Sequence, residues 1–317
     1  MRTVDHPVRY CNPRLEAPVL NARIKKRANR GGCLIGVVGE KADLTYNYTY
    51  LGAGSESLEA FVSHPPANKQ KPMFIIGQGA LARPDGAAIL AMAYKAAVSI
   101  GVIKEGWNGF NILHTAAGRV GALDVCALPG EGGKSTTEML QGDLDVAILA
   151  GADEIEMAKL GKAFVIYIGS HGDVGAARAD VILPGAAYTE KSATYVNTEG
   201  RAQMTSRATF PPGDAREDWA IIVNLAKQAG ADLGFTSLGA LRAAMYQAAP
   251  QLAELNKLHQ ADAAALALVG DAKGKPTKVA FTSPIKDFYL TNPIARASRI
   301  MAECSALKNG QQMKAAE

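Results

Sequence analysis

A histidine and an aspartate two positions apart, His171 and Asp173, are the pair in this chain whose types best suit proton transfer or metal ligation. No nucleophile or third ligand lies near them in sequence, so a structural turn capped by Asp173 is the plainer reading. Three strand ends carry glycine: Gly36 and Gly39, Gly77 and Gly79, and Gly151 ahead of Asp153. Glycine after a parallel strand lets backbone amides approach a phosphate at the next helix N-terminus. None completes Gly-x-Gly-x-x-Gly, because the residue three after Gly79 is Ala82. Gly77-Gln78-Gly79, with the helix entry Arg83-Pro84-Asp85-Gly86, is the best phosphate-binding candidate, and the incomplete motif favours tight strand–helix turns. Gly132-Gly133-Lys134-Ser135-Thr136 imitates a Walker loop, but position 128 is Leu where that motif needs glycine. Asn197, Glu199 and Arg201 flank a turn, with Glu190 and Lys191 earlier on the same segment. Two readings stay open for them: an ion-paired loop that locks two domains together, or a remnant of a cofactor cleft.

The four cysteines, at 11, 33, 126 and 304, never approach Cys-x2-Cys, so no iron–sulfur or zinc spacing is present and no metal site is expected. Cys33 reads as a small buried hydrophobe, and the set suits a reducing compartment. The net charge of +4 is mild. Its densest cluster, Lys25-Lys26-Arg27 with Arg30, falls on an amphipathic helix and reads as a solvated face, not a nucleic-acid site. No apolar run reaches the eighteen residues a membrane span requires. The amino-terminal residues have neither signal nor transit-peptide character. Met1 is therefore read as the start of an organelle-encoded chain, or as the first residue left by removal of a presequence.

The elements that must position these residues emerge from alternating apolar runs and helical patterns. Strands are predicted at Cys33–Val38, Met73–Gly77, Val146–Ala150, Phe164–Ile168 and Val181–Leu183, and a β-rich stretch around Thr194–Val196 closes on a turn at Gly200. Helices are predicted at Ala17–Arg27, Arg83–Ile100 and Asn111–Leu123. The alternation indicates an α/β fold of parallel sheets with flanking helices. After Pro211-Pro212 the character becomes helical. One helix is capped by Asp214 and runs to about Ala229, others lie within 238–268, and a last one starts at Asn292-Pro293. Asp271–Pro276 is a solvated connection, and the tail beyond Lys308 is expected to fray. The start is odd: Val8 to Asn12 reads as the end of a strand with almost nothing before it, as if the chain were cut near a domain edge.

Residues 179–203, Ala-Asp-Val-Ile-Leu-Pro … Glu190-Lys191 … Thr-Tyr-Val-Asn197-Thr-Glu199-Gly-Arg201-Ala-Gln, resemble the molybdopterin oxidoreductase superfamily. In wording they are most similar to the large iron–sulfur subunits of the respiratory complex I peripheral arm. Asn12-Pro13-Arg14 through Lys26, Asp43–Tyr46, Asp85–Leu90, Asn111–His114, His171–Ala176, Pro211–Trp219 and Ile285–Tyr289 extend the likeness almost end to end. The resemblance implies a molybdopterin-oxidoreductase-like fold, with an inserted Rossmann-like α/β domain over residues 1–178. Residues 179–317 would supply the remainder with a helical carboxy-terminal region, completed by a separate amino-terminal chain. The family's cysteine-rich amino-terminal motifs and its molybdenum-ligand Cys or Ser are not evident. The implied role is thus a non-catalytic structural subunit supporting electron transfer from NADH to ubiquinone.

On that reading the chain has no catalytic residue and holds no cofactor, and iron–sulfur clusters and FMN belong to partner chains. Gly77, Gly79, His171, Asp173, Asn197, Glu199 and Arg201 become lining residues of a vestigial cleft. Asn12, Arg14, Glu190 and Lys191 become interface candidates, with Val8–Asn12 and 192–203 packing on the separate iron–sulfur part. Further partners are other peripheral-arm subunits. The place is the matrix side of the mitochondrial inner membrane, or the cytoplasmic face of a bacterial one. The competing class is a cofactor-binding subunit of a formate-dehydrogenase-like, molybdopterin-dependent oxidoreductase, which would need a bound pterin and a metal ligand.

Overall fold

The computed structural model describes residues 7–10, 12–63, 70–142 and 144–310. Two compact units emerge. Of the described residues, the first holds those up to 119 together with 198–200 and 258–286; the second holds those from 120 to 197, 201–257 and 287–310. Compactness thus divides the chain at Arg119/Val120, with the carboxy-terminal third shared between the units.

The first unit opens with strand β1 (Pro7–Tyr10) and helices α1 (Pro13–Glu16) and α2 (Pro18–Ala28). Then come β2 (Gly36–Val38), β3 (Thr49–Gly52), α3 (Ser55–Ser63), β4 (Met73–Ile76), α4 (Gln78–Leu81) and α5 (Gly86–Ser99). A short antiparallel pair, β5 (Ile103–Lys104) and β6 (Trp107–Asn108), leads to β7 (Phe110–Ile112). The strands form one parallel sheet in the order β3-β2-β1-β4-β7. Chain order reverses direction at β1, so right-handed crossovers lie on opposite faces. Alternation along the strands agrees. Phe74 and Ile76 face α3 and α5 with Leu58, Ile89 and Ala93, whereas Ile75 and Val37 face α2 with Ile24. β1, the predicted stub, is the central strand, paired on both sides within this chain. It is therefore no open edge awaiting a partner.

The second unit begins with α6 (Arg119–Asp124) and α7 (Thr136–Met139), followed by β8 (Val146–Ala150), β9 (Phe164–Gly169), α8 (Val174–Arg178) and β10 (Val181–Pro184). These three strands are parallel in the order β10-β9-β8. The hairpin β11 (Thr194–Val196) and β12 (Ala202–Met204) turns at Gly200, whose φ of 80° suits glycine. Helices α9 (Asp218–Gln228) and α10 (Leu238–Ala248) come next, and α10 with the turn at Pro250–Ala253 covers Val196 and Ala202 of the hairpin. The chain returns to the first unit with α11 (Ala263–Leu268), then ends in the second with α12 (Pro293–Arg296) and α13 (Arg299–Lys308).

Three predicted elements differ. Asn111–Leu123 is not one helix: Phe110–Ile112 joins the sheet beside β4, and Asn111 Nδ2 donates to the Gly109 and Phe74 carbonyls, leaving only Arg119–Asp124 helical. Asp214 does not cap α9. Arg216 stays extended to donate its N–H to the Pro184 carbonyl beside β10, and Glu217 takes the cap position. Of Cys33–Val38 only Gly36–Val38 pairs as strand. The Walker-like loop is explained locally. Ser135 and Glu138 form a reciprocal capping box at α7, on an exposed stretch. The tail beyond residue 310, and Cys11, lie outside the described residues.

Candidate functional site

The strand order of the first unit has a switch point between β1 and β4, the place where open α/β sheets bind ligands beyond their carboxyl ends. Gly77 ends β4 at the cap position of α4, Gly79 lies in its first turn, and Asn12 comes just after β1. The structure therefore gathers three of the sequence candidates at this crevice. It also fills the crevice from within. Residues 277–284 cross the strand ends as a strap, with Phe281 only 2% exposed in the core of the α5 face. A Cβ on Gly79 would stand 1.9 Å from the Thr282 carbonyl oxygen, so glycine is required by the strap.

The strap is stitched down by two residues at the entry of α5. Arg83 donates to the Val279 carbonyl at 2.9 Å, packs over the Phe281 ring and pairs with Asp85. Asp85 Oδ2 accepts both the backbone N–H and the hydroxyl of Thr277, each at 2.7 Å. Loss of hydration raises the Asp85 carboxyl, but these hydrogen bonds and Arg83 outweigh it and bring the pKa down to about 2. On the far side Ser283 donates its N–H to Glu40 at 3.1 Å, and Phe281 donates to the Ala53 carbonyl at 2.9 Å.

What remains of the crevice is a cavity of about 20 Å³ lined by Asn12, Glu16, Val38, Gly39, Glu40 and Phe281–Ser283. That is room for a single water, against the ~300 Å³ or more of a ligand pocket. Glu16 faces it. Burial drives its pKa up to about 7 although the Asn12 and Gln78 amides, which bond its carboxylate, pull the other way. Glu16 Oε2 and Asn12 Oδ1 are both buried with no hydrogen-bond partner among the described residues. Nearby, Gln78 Nε2 reaches the Leu113 carbonyl at 2.7 Å and His114 Nδ1 at 3.4 Å. Burial, then Arg119, holds that imidazole below its usual pKa.

The second unit fills its own strand ends. Arg296 of α12 donates to Asp153 beyond β8 and Asp173 beyond β9, with Glu154 at 3.6 Å. The Asp153 side chain is 0% exposed and also accepts the Gly175 N–H at 3.1 Å. Asp173 stands at the cap position of α8, but its carboxylate does not cap; it is committed to Arg296. His171 exchanges with Ser170 Oγ at 2.9 Å, and its carbonyl accepts the Tyr167 hydroxyl. His171 and Asp173 thus act as parts of a turn around a guanidinium. Among the described residues no group of three or more His, Cys, Asp or Glu is arranged to hold a metal.

The other candidates are each placed locally. Asn197 Oδ1 accepts the Arg201 N–H at 3.0 Å across the hairpin turn, Arg201 donates to the Asn256 carbonyl, and Glu199 is exposed at the tip. Arg14 pairs with Asp43 at the surface. Glu190 accepts the Ala187 N–H at 2.9 Å, and Lys191 pairs with Asp218 of α9. The roles of Glu16, Arg296 and the strap carry no signal in the sequence. Arg83 and Asp85, in the helix entry, and Asp153, after a strand-end glycine, do carry one.

A family model described as molybdopterin oxidoreductase matches residues 11–228, and one described as the C-terminal region of the NADH-ubiquinone oxidoreductase G subunit matches residues 251–304. The chain is 39% identical over 302 residues to the mitochondrial NADH dehydrogenase (ubiquinone) iron-sulfur protein 1 of Solanum tuberosum, covering 93% of this chain and 40% of that protein. It is 40% identical over 306 residues to the NADH-ubiquinone oxidoreductase 75 kDa subunit of Reclinomonas americana, covering 93% and 44%. It is 38% identical over 303 residues to the NADH-quinone oxidoreductase G subunit of Rickettsia bellii, covering 94% and 43%. The chain spans less than half the length of these curated relatives.

Proposed function

The chain belongs to the molybdopterin oxidoreductase family, and from that premise we propose that it serves as a non-catalytic structural subunit in the peripheral arm of a respiratory NADH:ubiquinone oxidoreductase. It holds an iron–sulfur-bearing chain and its neighbours in register, while the clusters and FMN sit in those partners. The observation that carries the reading is the filling of both sets of strand ends by the chain's own residues, Phe281 to Ser283 in one unit and Arg296 in the other. The residues present do not fit a pterin nucleotide. Such a group needs an open crevice and amide donors aimed into it, and the strap stands where its phosphates would approach Gly79.

The similarity to the potato, Reclinomonas and Rickettsia proteins, which are named as subunits of NADH oxidoreductases, supports the choice of assembly. We place the chain on the matrix side of the mitochondrial inner membrane; among the described residues no helix is long and apolar enough to cross one. The test is to isolate the assembly containing this chain and assay it for extractable pterin, molybdenum and tungsten. Absence of all three in an NADH-oxidising assembly is the expected result. Stoichiometric pterin with either metal bound to this chain would instead establish the formate-dehydrogenase-like alternative.

A further inference from the structure

The crevice of the first unit holds two neighbouring side chains whose oxygens need donors. Asn12 donates its backbone N–H to Glu16 Oε1 at 2.7 Å, which fixes the carboxylate beside residue 12. Glu16 Oε2 and Asn12 Oδ1 are then left buried, with no hydrogen-bond partner among the described residues. Both residues line the cavity of about 20 Å³ that Val38, Gly39, Glu40 and the strap complete. The donors around it are committed elsewhere. The N–H groups of Gly39 and Phe281 go to the Gly52 and Ala53 carbonyls, each at 2.9 Å, and that of Ser283 goes to Glu40 at 3.1 Å. The hydroxyls of Thr282 and Ser283 make no hydrogen bond to either oxygen. A buried acceptor that has lost its hydration gains nothing in exchange unless a donor reaches it.

We propose that this cavity is a binding site for one internal water molecule, which donates one hydrogen to Asn12 Oδ1 and the other to Glu16 Oε2. A water needs roughly 10–15 Å³ of such space and about two to four polar partners, and the cavity meets both conditions. A metal cation fits less well. Among the described residues no group of three or more His, Cys, Asp or Glu is arranged to hold one. Burial also raises the Glu16 pKa to about 7, so that carboxyl is partly protonated at neutral pH, where a metal needs it ionised. An anion would face the carboxylates of Glu16 and Glu40. The site lies where open α/β sheets take a ligand, so a solvent molecule occupies the remnant that the strap leaves. The water site concerns the first unit alone and stands or falls apart from the complex I reading.

The test is a density map of the unmodified chain in its native assembly, by crystallography or cryo-electron microscopy at a resolution that shows ordered waters. A single peak within about 2.6–3.1 Å of both Asn12 Oδ1 and Glu16 Oε2 supports the proposal. A peak surrounded by about six oxygens, or within about 2.0–2.5 Å of the carboxylate, is a metal cation and overturns it. The lack of any peak overturns it too. The missing donor would then be the Asn12 amide turned so that Nδ2 faces Glu16, or a Thr282 or Ser283 hydroxyl rotated onto these oxygens. As a second measurement, Asn12→Leu removes one acceptor and is expected to abolish the peak. A peak that persists at the same position would show that Asn12 does not hold it, and would overturn the assignment.

Discussion

The two parallel sheets of this molecule are built from the same kinds of residues and end differently. In the five-stranded sheet the strand order doubles back at β1, crossovers fall on both faces, and Phe74, Ile75 and Ile76 are all buried in succession. In the three-stranded sheet the order never reverses, both crossovers share a face, and β8 alternates an exposed Ile148 with a buried Leu149. In the first sheet successive residues of β4 are covered from both sides; in the second, Val146, Ile148 and Phe164 stay about half exposed while Ile168 on their face is buried. The difference teaches that topology, not composition, decides whether a run of β-branched residues becomes a core or an interface.

Substitutions can break this comparison directly. Ile75→Asp buries a carboxylate between two covered faces and is expected to destabilise the first unit by more than about 4 kcal/mol, or to prevent folding. Ile148→Asp, at a position 52% exposed, should shift the chain by less than about 1 kcal/mol. Denaturant titration of both variants would refute the comparison if their effects were equal. Next in size, Arg296→Ala leaves the fully buried Asp153 without its partner and is expected to remove about 3–5 kcal/mol from the second unit. Hydrogen exchange of β8 and β9 amides would report that loss, and unchanged protection would rule it out.

The strap offers a finer probe of the first unit. Asp85→Asn weakens the hold on Thr277 and should cost about 1–3 kcal/mol, with faster proteolysis near residues 277–284. The low pKa of Asp85 means its contribution is complete above the ordinary value of 3.8 and is lost as pH falls toward 2. Glu16 has the opposite sign. Its pKa of about 7 lies above the ordinary 4.5, so its proton stabilises the fold fully below pH 4.5, and that stabilisation is lost as pH rises through 7. Glu16→Gln, always neutral, should flatten this slope, worth about 2 kcal/mol between pH 5 and 8. A variant that unfolds with the parent's pH profile would remove Glu16 from the account.

How much of this was legible beforehand depends on the range of the interaction. The strands at Val146–Ala150, Phe164–Gly169 and Val181–Pro184 announce themselves as short apolar runs, because burial of one face is written into neighbouring residues. Pro7 to Tyr10 reads as a stub although it forms the centre of a sheet, since four residues carry no sign of the partners on either side. Asn111 and Ile112 read as the start of a helix for the same reason: their pairing with β4 is more than thirty residues away. The strand-end glycines were visible, but what stands over Gly79 was not. Thr282 reaches it from 203 positions along the chain, and Arg296 reaches Asp153 across 143. Local chemistry marks where a crevice is; only tertiary contacts say that it is filled.

What is proposed above is a cofactor-free scaffold role within an NADH-oxidising assembly. The most direct test is native electrophoresis of detergent-solubilised membranes, with in-gel NADH oxidation, mass spectrometry of co-migrating polypeptides and elemental analysis of the band. The account predicts a very large NADH-oxidising species that contains this chain and a cysteine-rich, cluster-bearing polypeptide, with iron and without molybdenum or tungsten. A small species carrying either metal in proportion to this chain would contradict it.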